Sequence, residues 1–312
     1  MTANLKADIA APPKAHKSRV KKELPYYLMA SPGVIWLILF SVVPMGGVLM
    51  AFQDYIPTKG VLGSPWIGWE NFTYLFTMRE SMRVIENTVI IAGAKIILNL
   101  LVPLAFAILL NEITHVRFKS VVQTVVYLPH FLSWVILASI VINIFGYDGI
   151  VNKFFGFFGR EPQLFMSEPG MFRQMLVATD VWKEFGYNAV IFLAALAGIN
   201  PTLYEAAKID GAGRWRSIWH VTLPGLTATI VLLAALALGN VLNAGFDQVF
   251  NLYNPMVYST GDVIDTWVYR MGLFKLQYSL ATTAGLFKSV ISFALISVSY
   301  LLARRFADYT IF

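Results

Sequence analysis

Amide and carboxylate side chains are concentrated just after one of the long apolar stretches of the chain. They are Asn240, Asn243, Asp247, Gln248 and Asn251. An amide both donates and accepts hydrogen bonds, which suits a ligand rich in hydroxyl groups, such as a sugar. Tyr253 follows this group and offers a ring on which a sugar can stack. The same asparagines are equally expected as bridges between membrane helices, so both interpretations stand.

Two charged residues, Lys95 and Glu184, lie deep inside apolar segments. Each is about 11 residues, or roughly 16 Å at 1.5 Å per residue, from the outer end of its segment. Charges at such depth are costly and mark functional or structural sites. The favoured interpretation is a Lys95–Glu184 ion pair that fixes helix packing. In the alternative they line a sugar pathway, together with Tyr187 and Asn188. Helical spacing relates Asp180, Lys183, Glu184, Tyr187 and Asn188, so most of them share one face of the helix.

Residues for enzymatic chemistry are not grouped in this sequence. The chain has no cysteine, and its four histidines, His16, His115, His130 and His220, are scattered without a second ligand at metal spacing. It also has no glycine-rich loop ending in Gly-Lys-Ser/Thr, which excludes ATP binding by the P-loop route. We therefore expect no catalytic residue, no metal site and no cofactor in this chain.

The elements that position these side chains are predicted to be membrane-spanning helices. The chain of 312 residues is 57% hydrophobic and 13% charged, whereas soluble domains carry about 25% charged residues. Six segments approach or exceed the roughly 20 apolar residues that a bilayer requires. They are 28–52, 84–110, 120–145, 171–199, 223–245 and 282–303. The predicted fold class is all-α, with a basic tail at 1–24 and a six-helix membrane domain at 25–312.

The distribution of Lys and Arg predicts how this domain is oriented. With the N-terminus inside, thirteen of these residues flank the spans on the inner side and eight lie in the outer loops. Inner loops of membrane proteins are enriched in Lys and Arg. Both termini are therefore expected in the cytoplasm.

One inner loop, residues 205–224, has an unusual combination of charge, small residues and turn signals. Pro201 suits the start of a helix, and Asp210-Gly211 signals a stop and a turn. Pro224 then suits the start of the next span. The loop is thus predicted to contain two short helices around a turn. Taken alone, the pattern suits either a docking helix for a partner or an ordinary connector on the inner membrane surface.

The same loop resembles the EAA loop of ABC importer permeases. The family pattern of E-A-A, D-G-A and I-x-L-P is present at matching spacing, with Val221 at the isoleucine position. The residues that carry it are Glu205, Ala206, Ala207, Asp210, Gly211, Ala212, Leu223 and Pro224. In that family the loop forms the coupling helix, which docks in a cleft of the cytoplasmic ATPase subunit.

Further segments resemble the polysaccharide branch of the maltose-type larger permeases. They are 117–124, 127–134, 180–184, 193–199, 243–255 and 284–289. The resemblance implies a permease that imports an oligosaccharide and forms a heterodimer with a second permease. It also implies two ATPase subunits, which bind ATP and Mg, and an extracellular or periplasmic sugar-binding protein. A permease of this family is expected in the cytoplasmic membrane of a bacterium. The alternatives are an ion-coupled secondary sugar transporter, which would show inverted repeats, and a membrane enzyme or receptor.

Overall fold

The structure, a computed structural model, describes residues 16–307 and the side-chain surroundings of residues 23–301. Within 16–307 the regular structure is helical, apart from an isolated β-bridge between Gln53 and Trp66. The chain forms two compact units, which divide between Leu49 and Met50.

The first unit is a run of helical turns. It contains α1 (His16–Leu37), a π-helical segment (Ile38–Val42) and α2 (Val43–Met45), and a 3-10 helix (Gly46–Phe52) begins at its end. Most of its large apolar side chains are exposed, as expected of a helix that contacts lipid. Of the predicted tail, residues 1–15 lie outside the described residues, and α1 crosses the boundary predicted at residue 25.

The second unit contains the remaining fourteen α-helices of the described residues. They are α3 (Gly60–Gly63), α4 (Glu70–Thr77), α5 (Arg79–Asn111), α6 (Val116–Tyr127), α7 (Trp134–Phe145), α8 (Ile150–Phe157), α9 (Pro169–Ala197), α10 (Pro201–Ile209), α11 (Arg214–Ser217), α12 (Leu223–Leu238), α13 (Phe246–Leu252), α14 (Tyr258–Gly261), α15 (Ile264–Tyr269) and α16 (Tyr278–Ala307).

Among the described residues, five helical segments are long and apolar enough to cross a membrane. They are Glu23–Phe52, Arg79–Asn111, Trp134–Phe157, Arg214–Leu238 and Tyr278–Leu301. A sixth is obtained when α9 and α10, which meet at an angle of 71°, are counted as one bent span. The predicted all-α membrane fold is therefore confirmed, although two of the predicted spans have different bounds.

The span predicted at 120–145 is wrong as a single helix. The chain leaves the α-helix after Tyr127, forms a 3-10 turn over Leu128–Phe131 and restarts at Trp134. Pro129 lies in that turn, and a proline lacks the N–H that a continuous helix would use. The side chain of Ser133 then caps α7 by accepting a hydrogen bond from the Ile136 amide at 3.4 Å.

The span predicted at 223–245 also ends earlier than expected. The α12 helix stops at Leu238, and the chain turns over residues 239–245 before α13 begins. Gly245 ends this turn with φ of +87°, a conformation that favours glycine. Asn240 and Asn243 therefore lie in a turn and not at the end of a helix.

The core of the second unit is organised around α5 and α9, which pack along each other. At one end, Ile91, Phe172 and Leu176 pack with residues of α7 and α13. At the other, Ala189, Phe192 and Leu226 bring α12 against α9. In a bilayer this close packing, more than transfer out of water, holds helices together. It fixes the polar side chains of α5 and α9 opposite each other.

Candidate functional site

A cavity of about 420 Å³ lies between α5, α9, α12 and the turn that follows α12. Four amide side chains line it: Asn99, Asn188, Asn240 and Asn243. Lys95 and Asp180 contribute charges, and an apolar wall is formed by Ile96, Leu100, Ile191, Phe192 and Leu233. A cavity of this size, with an apolar wall and several converging polar groups, is typical of a small-molecule site.

The charged pair at this cavity is Lys95 and Asp180, whose Nζ and Oδ1 atoms are 3.1 Å apart. The predicted Lys95–Glu184 pair is wrong, because Glu184 lies one helical turn, roughly 6 Å, further along α9. Glu184 is instead bound by Lys183 at 2.8 Å and lies 2.7 Å from Nδ1 of His130. The sequence placed both carboxylates on one helical face but did not fix which of them Lys95 reaches.

Lys95 also holds the segment that closes the cavity. Its ammonium group donates to the carbonyl of Ala244 at 2.7 Å and to Oε1 of Gln248. The Gln248 amide in turn donates to the Leu176 carbonyl at 2.7 Å and to Oγ1 of Thr179 at 2.8 Å. These bonds fasten the turn after α12 and the start of α13 to α5 and α9.

Gln248 is therefore not available to a ligand, contrary to the prediction. Its side chain is completely buried, and both ends of its amide are occupied within the protein. The sequence does not indicate this burial, because Gln248 stands among polar residues. The structure shows that α13 begins at Phe246 and that Gln248 lies on its buried side.

The other predicted pathway residues separate into two groups. Asn188, Asn240 and Asn243 line the cavity, and the last two are exposed. Asp247, Asn251, Tyr253 and Tyr187 do not line it. The Asn251 amide donates to the carbonyl of Asp247 at 2.7 Å.

The two tyrosines are engaged with other rings. Tyr253 packs between Phe250 and Tyr258, and burial raises the pKa of its phenol to about 12. Tyr187 stacks face to face on His130, with ring centroids 3.9 Å apart. Neither ring is positioned to stack on a sugar inside this cavity.

Sequence reasoning missed Asn99 of the cavity, and it placed Asp180 on the same helical face as Glu184 without giving it a role. Asn99 donates to Oδ2 of Asp180 at 2.8 Å. Helical spacing carries the signal for both, since Asn99 follows Lys95 by four residues and Asp180 precedes Glu184 by four. Among the described residues, no three His, Asp or Glu side chains are grouped as a metal ion would require.

The 205–224 loop has the predicted form of two short helices around a turn. Asn200 caps α10 by accepting a hydrogen bond from the Thr202 amide at 3.0 Å. Gly211 makes the turn with φ of +77°, and the Ala212 amide donates to the Ala207 carbonyl at 2.8 Å. The hydroxyl groups of Tyr204 and Thr222, 3.1 Å apart, tie α10 to the segment that leads into α12.

The surface of this loop combines charge with large exposed apolar groups. Glu205, Ala206, Asp210 and Gly211 are exposed. Ile209 is 86% exposed, and Trp215 and Trp219 are 72% and 65% exposed. Apolar side chains this exposed mark a surface that contacts either a membrane or another protein.

Comparisons with known proteins extend over most of the chain. The family described as "Binding-protein-dependent transport system inner membrane component" matches residues 99–308. The polygalacturonan/rhamnogalacturonan transport system permease protein YteP of Bacillus subtilis (strain 168) is 40% identical over 283 residues, which are 90% of this chain and 88% of that protein.

Two solved structures are similar in both fold and sequence. One is a bacterial ABC transporter involved in the import of the acidic polysaccharide alginate, with a TM-score of 0.84 and 36% identity over 93% of this chain and 98% of that chain. The other is a bacterial alginate ABC transporter in complex with a periplasmic protein bound to alginate pentasaccharide. Its TM-score is 0.85, with 34% identity over 96% of this chain and all of the other chain.

Proposed function

Because this chain belongs to the family of binding-protein-dependent transport system inner membrane components, we propose that it is the permease subunit of an ABC importer for oligosaccharides. Its relatives include a polygalacturonan/rhamnogalacturonan transport system permease and alginate transporters. The family is defined by dependence on a binding protein, which argues against the alternative of an ion-coupled secondary transporter.

The observation that carries the proposal is the amide-lined cavity. Asn99, Asn188, Asn240 and Asn243 converge on a space of about 420 Å³ beside membrane-spanning helices. Asn188, Asn240 and Asn243 each offer a donor and an acceptor, which matches the alternating hydroxyl groups of a sugar, whereas the Asn99 amide already donates to Asp180. The apolar wall that includes Ile191 and Leu233 offers a surface for the C–H face of the ring. We assign sugar contact to Asn188, Asn240 and Asn243, and withdraw it from Gln248.

The 205–224 loop supports coupling to separate ATPase subunits. It carries the exposed Glu205 and Ala206 on a short helix that leaves α9 at 71°. Glu205 would pair with a basic residue in the cleft of an ATPase, and the small side chains of Ala206 and Ala207 would allow close approach. ATP and Mg are then bound by the ATPases, and this chain contributes no catalytic residue and no cofactor.

The complete importer would contain four further proteins. They are a homologous second permease, two ATPases and an external sugar-binding protein. The alginate transporter solved with a saccharide-bound periplasmic protein supports the last of these. The chain is a membrane protein, and we place it in the bacterial cytoplasmic membrane with both termini in the cytoplasm, on the basis of its Lys and Arg distribution.

The test is uptake by the complete complex in liposomes, with labelled oligosaccharides and ATP supplied inside. Asn240→Ala and Asn243→Ala should each raise KM for uptake roughly fivefold, the effect of losing about one neutral hydrogen bond. Asp247→Ala is the matched control, because this exposed residue is close in sequence but does not line the cavity. Uptake that needs no ATP would refute the importer, and unchanged KM in both asparagine variants would refute the cavity assignment.

A further inference from the structure

A second cavity, of about 390 Å³, lies at the start of α5. Its lining includes three arginines, Arg79, Arg83 and Arg270, and two carboxylates, Glu80 and Asp262. Tyr258 and Ser259 of the outer segment between α13 and α15 complete the wall. None of these residues belongs to the amide-lined cavity.

Both carboxylates of this cavity are occupied by the same arginine. Nη2 of Arg270 is 2.6 Å from Asp262 and 2.7 Å from Glu80, and the guanidinium group lies over the Tyr258 ring at 4.3 Å. Thr266 also donates to Asp262 at 2.8 Å. Burial raises the pKa of Asp262, and its hydrogen bond with Arg270 opposes that rise. Arg270 therefore has a structural role and adds no uncompensated charge.

Arg79 and Arg83 have no such partners. Both side chains are exposed, and neither makes an ion pair or a side-chain hydrogen bond with the residues whose surroundings the structure describes, 23–301. They lie four residues apart, on adjacent turns of one helix face. The three arginines and two carboxylates leave this cavity with one excess positive charge.

The amide-lined cavity differs in its charge. Lys95 is paired with Asp180 there, so the two cancel, and the remaining polar groups are neutral amides. A saccharide that carries carboxylates would find hydrogen-bond partners in that cavity but no compensation for its charge. Arg79 and Arg83 offer this compensation, since a guanidinium group binds a carboxylate through two parallel hydrogen bonds.

We propose that the cavity at Arg79 and Arg83 is an entry site for an acidic saccharide, and that it binds the carboxylate of a uronic acid unit. The inference rests on the proposed function, because it needs a saccharide importer. According to this proposal the substrate is an acidic saccharide. Its carboxylate is recognised at Arg79 and Arg83, and its hydroxyl groups are recognised separately, in the amide-lined cavity. The concave shape and the volume suit a small-molecule unit rather than a flat protein contact.

The experiment compares two probes of the same length: trigalacturonate and its carboxyl-reduced neutral form, in which each carboxylate is replaced by a CH2OH group. Uptake of each is measured with the complete complex, including its binding protein, in liposomes. In the double variant Arg79→Gln/Arg83→Gln, KM for the acidic probe should rise at least about tenfold, as expected for the loss of charge-assisted hydrogen bonds. KM for the neutral probe should stay within about twofold. Arg79→Lys/Arg83→Lys should recover part of the loss, since lysine keeps the charge but not the bidentate geometry.

Lys59→Gln is the matched control, because it removes an exposed positive charge from the segment between the candidate spans Glu23–Phe52 and Arg79–Asn111 and does not line this cavity. Equal losses for both probes, no loss for the acidic probe, or a parent that transports only the neutral probe would overturn the proposal. Reduced association with the saccharide-free binding protein in the double variant would instead identify a protein-docking site, which also overturns it.

A different result would contradict the proposed function: the parent complex would import neither probe when ATP is supplied. Equilibrium binding of labelled trigalacturonate to the complex in nanodiscs then still decides the inference. Binding that the double variant loses supports the entry site, and binding that is equal in parent and variant overturns it.

Discussion

Lys95 is the residue on which most bonds around the amide-lined cavity depend. It joins α5 to Asp180 of α9, to the backbone at Ala244 and to the side chain of Gln248. A buried charge that satisfies three partners fixes their relative positions, and it cannot be removed without leaving one of them uncompensated.

The first prediction follows from this arrangement. Lys95→Met should lower the free energy of unfolding by roughly 3–5 kcal/mol, because the Asp180 charge is left buried without its partner. The thermal stability and the folded yield of the purified subunit should fall accordingly. Lys95→Met/Asp180→Asn should recover much of the loss. Lys95→Met/Glu184→Gln is the control and should recover none, since Glu184 is bound by Lys183 and His130. Recovery by the control and not by the first double variant would restore the Lys95–Glu184 pair.

At the scale of the element, the 205–224 loop depends on one backbone conformation. Gly211 has φ of +77°, whereas Gly213, two residues later, has φ of −74°. Neither glycine has an atom within 4 Å of the position that a Cβ would take. The two positions therefore differ in backbone strain and not in available space.

The second prediction uses this pair of glycines. Gly211→Ala should distort the turn, at a cost of about 1–2 kcal/mol for a left-handed conformation, while Gly213→Ala should be tolerated. We expect Gly211→Ala, and with it Glu205→Ala and Ala207→Leu, to weaken co-purification of the ATPase and to reduce saccharide-stimulated ATP hydrolysis. All three should still insert in the membrane. Variants that keep the ATPase bound and hydrolysis coupled would contradict the assignment of this loop.

The sequence predicts helices better than it predicts where they are interrupted. The apolar segments that contain α5, α9 and α16 were identified within a few residues, because apolar length alone defines them. Interruptions depend on local geometry, such as the turn at Pro129 and the turn before Gly245. The pairing of Lys95 with Asp180 depends on the axial alignment of two helices, for which a single sequence contains no signal. The EAA pattern predicted its turn correctly because Asp210-Gly211 encodes it locally.

At the scale of the whole molecule, two features indicate a membrane protein: exposed apolar side chains and the basic residues that flank them. Large apolar residues are exposed along α5, α7 and α16, which suits contact with lipid or with a second subunit. The Lys and Arg distribution then selects one of two orientations in the membrane.

The third prediction concerns that orientation. A reporter that is active only outside the cytoplasm should be active when fused after residue 62 or residue 161, and silent after residue 115 or residue 212. These positions lie between the candidate spans or within the 205–224 loop. A cytoplasm-active reporter at the same positions is the control and should give the opposite pattern. The reverse result at residue 212 would place the 205–224 loop on the wrong side for contact with an ATPase.

Because α9 and α10 meet at an angle of 71°, a movement of α10 is transmitted along the length of α9. The helix carries Asp180 and Asn188 of the cavity near its middle and passes directly into α10 at its end. Its 29 residues extend over roughly 43 Å, so a tilt of about 5° around the centre moves each end by about 2 Å. If the proposed ATPase displaces α10, α9 would tilt and the cavity wall would rotate with it. The centre of this rotation would lie close to Asp180, the partner of Lys95.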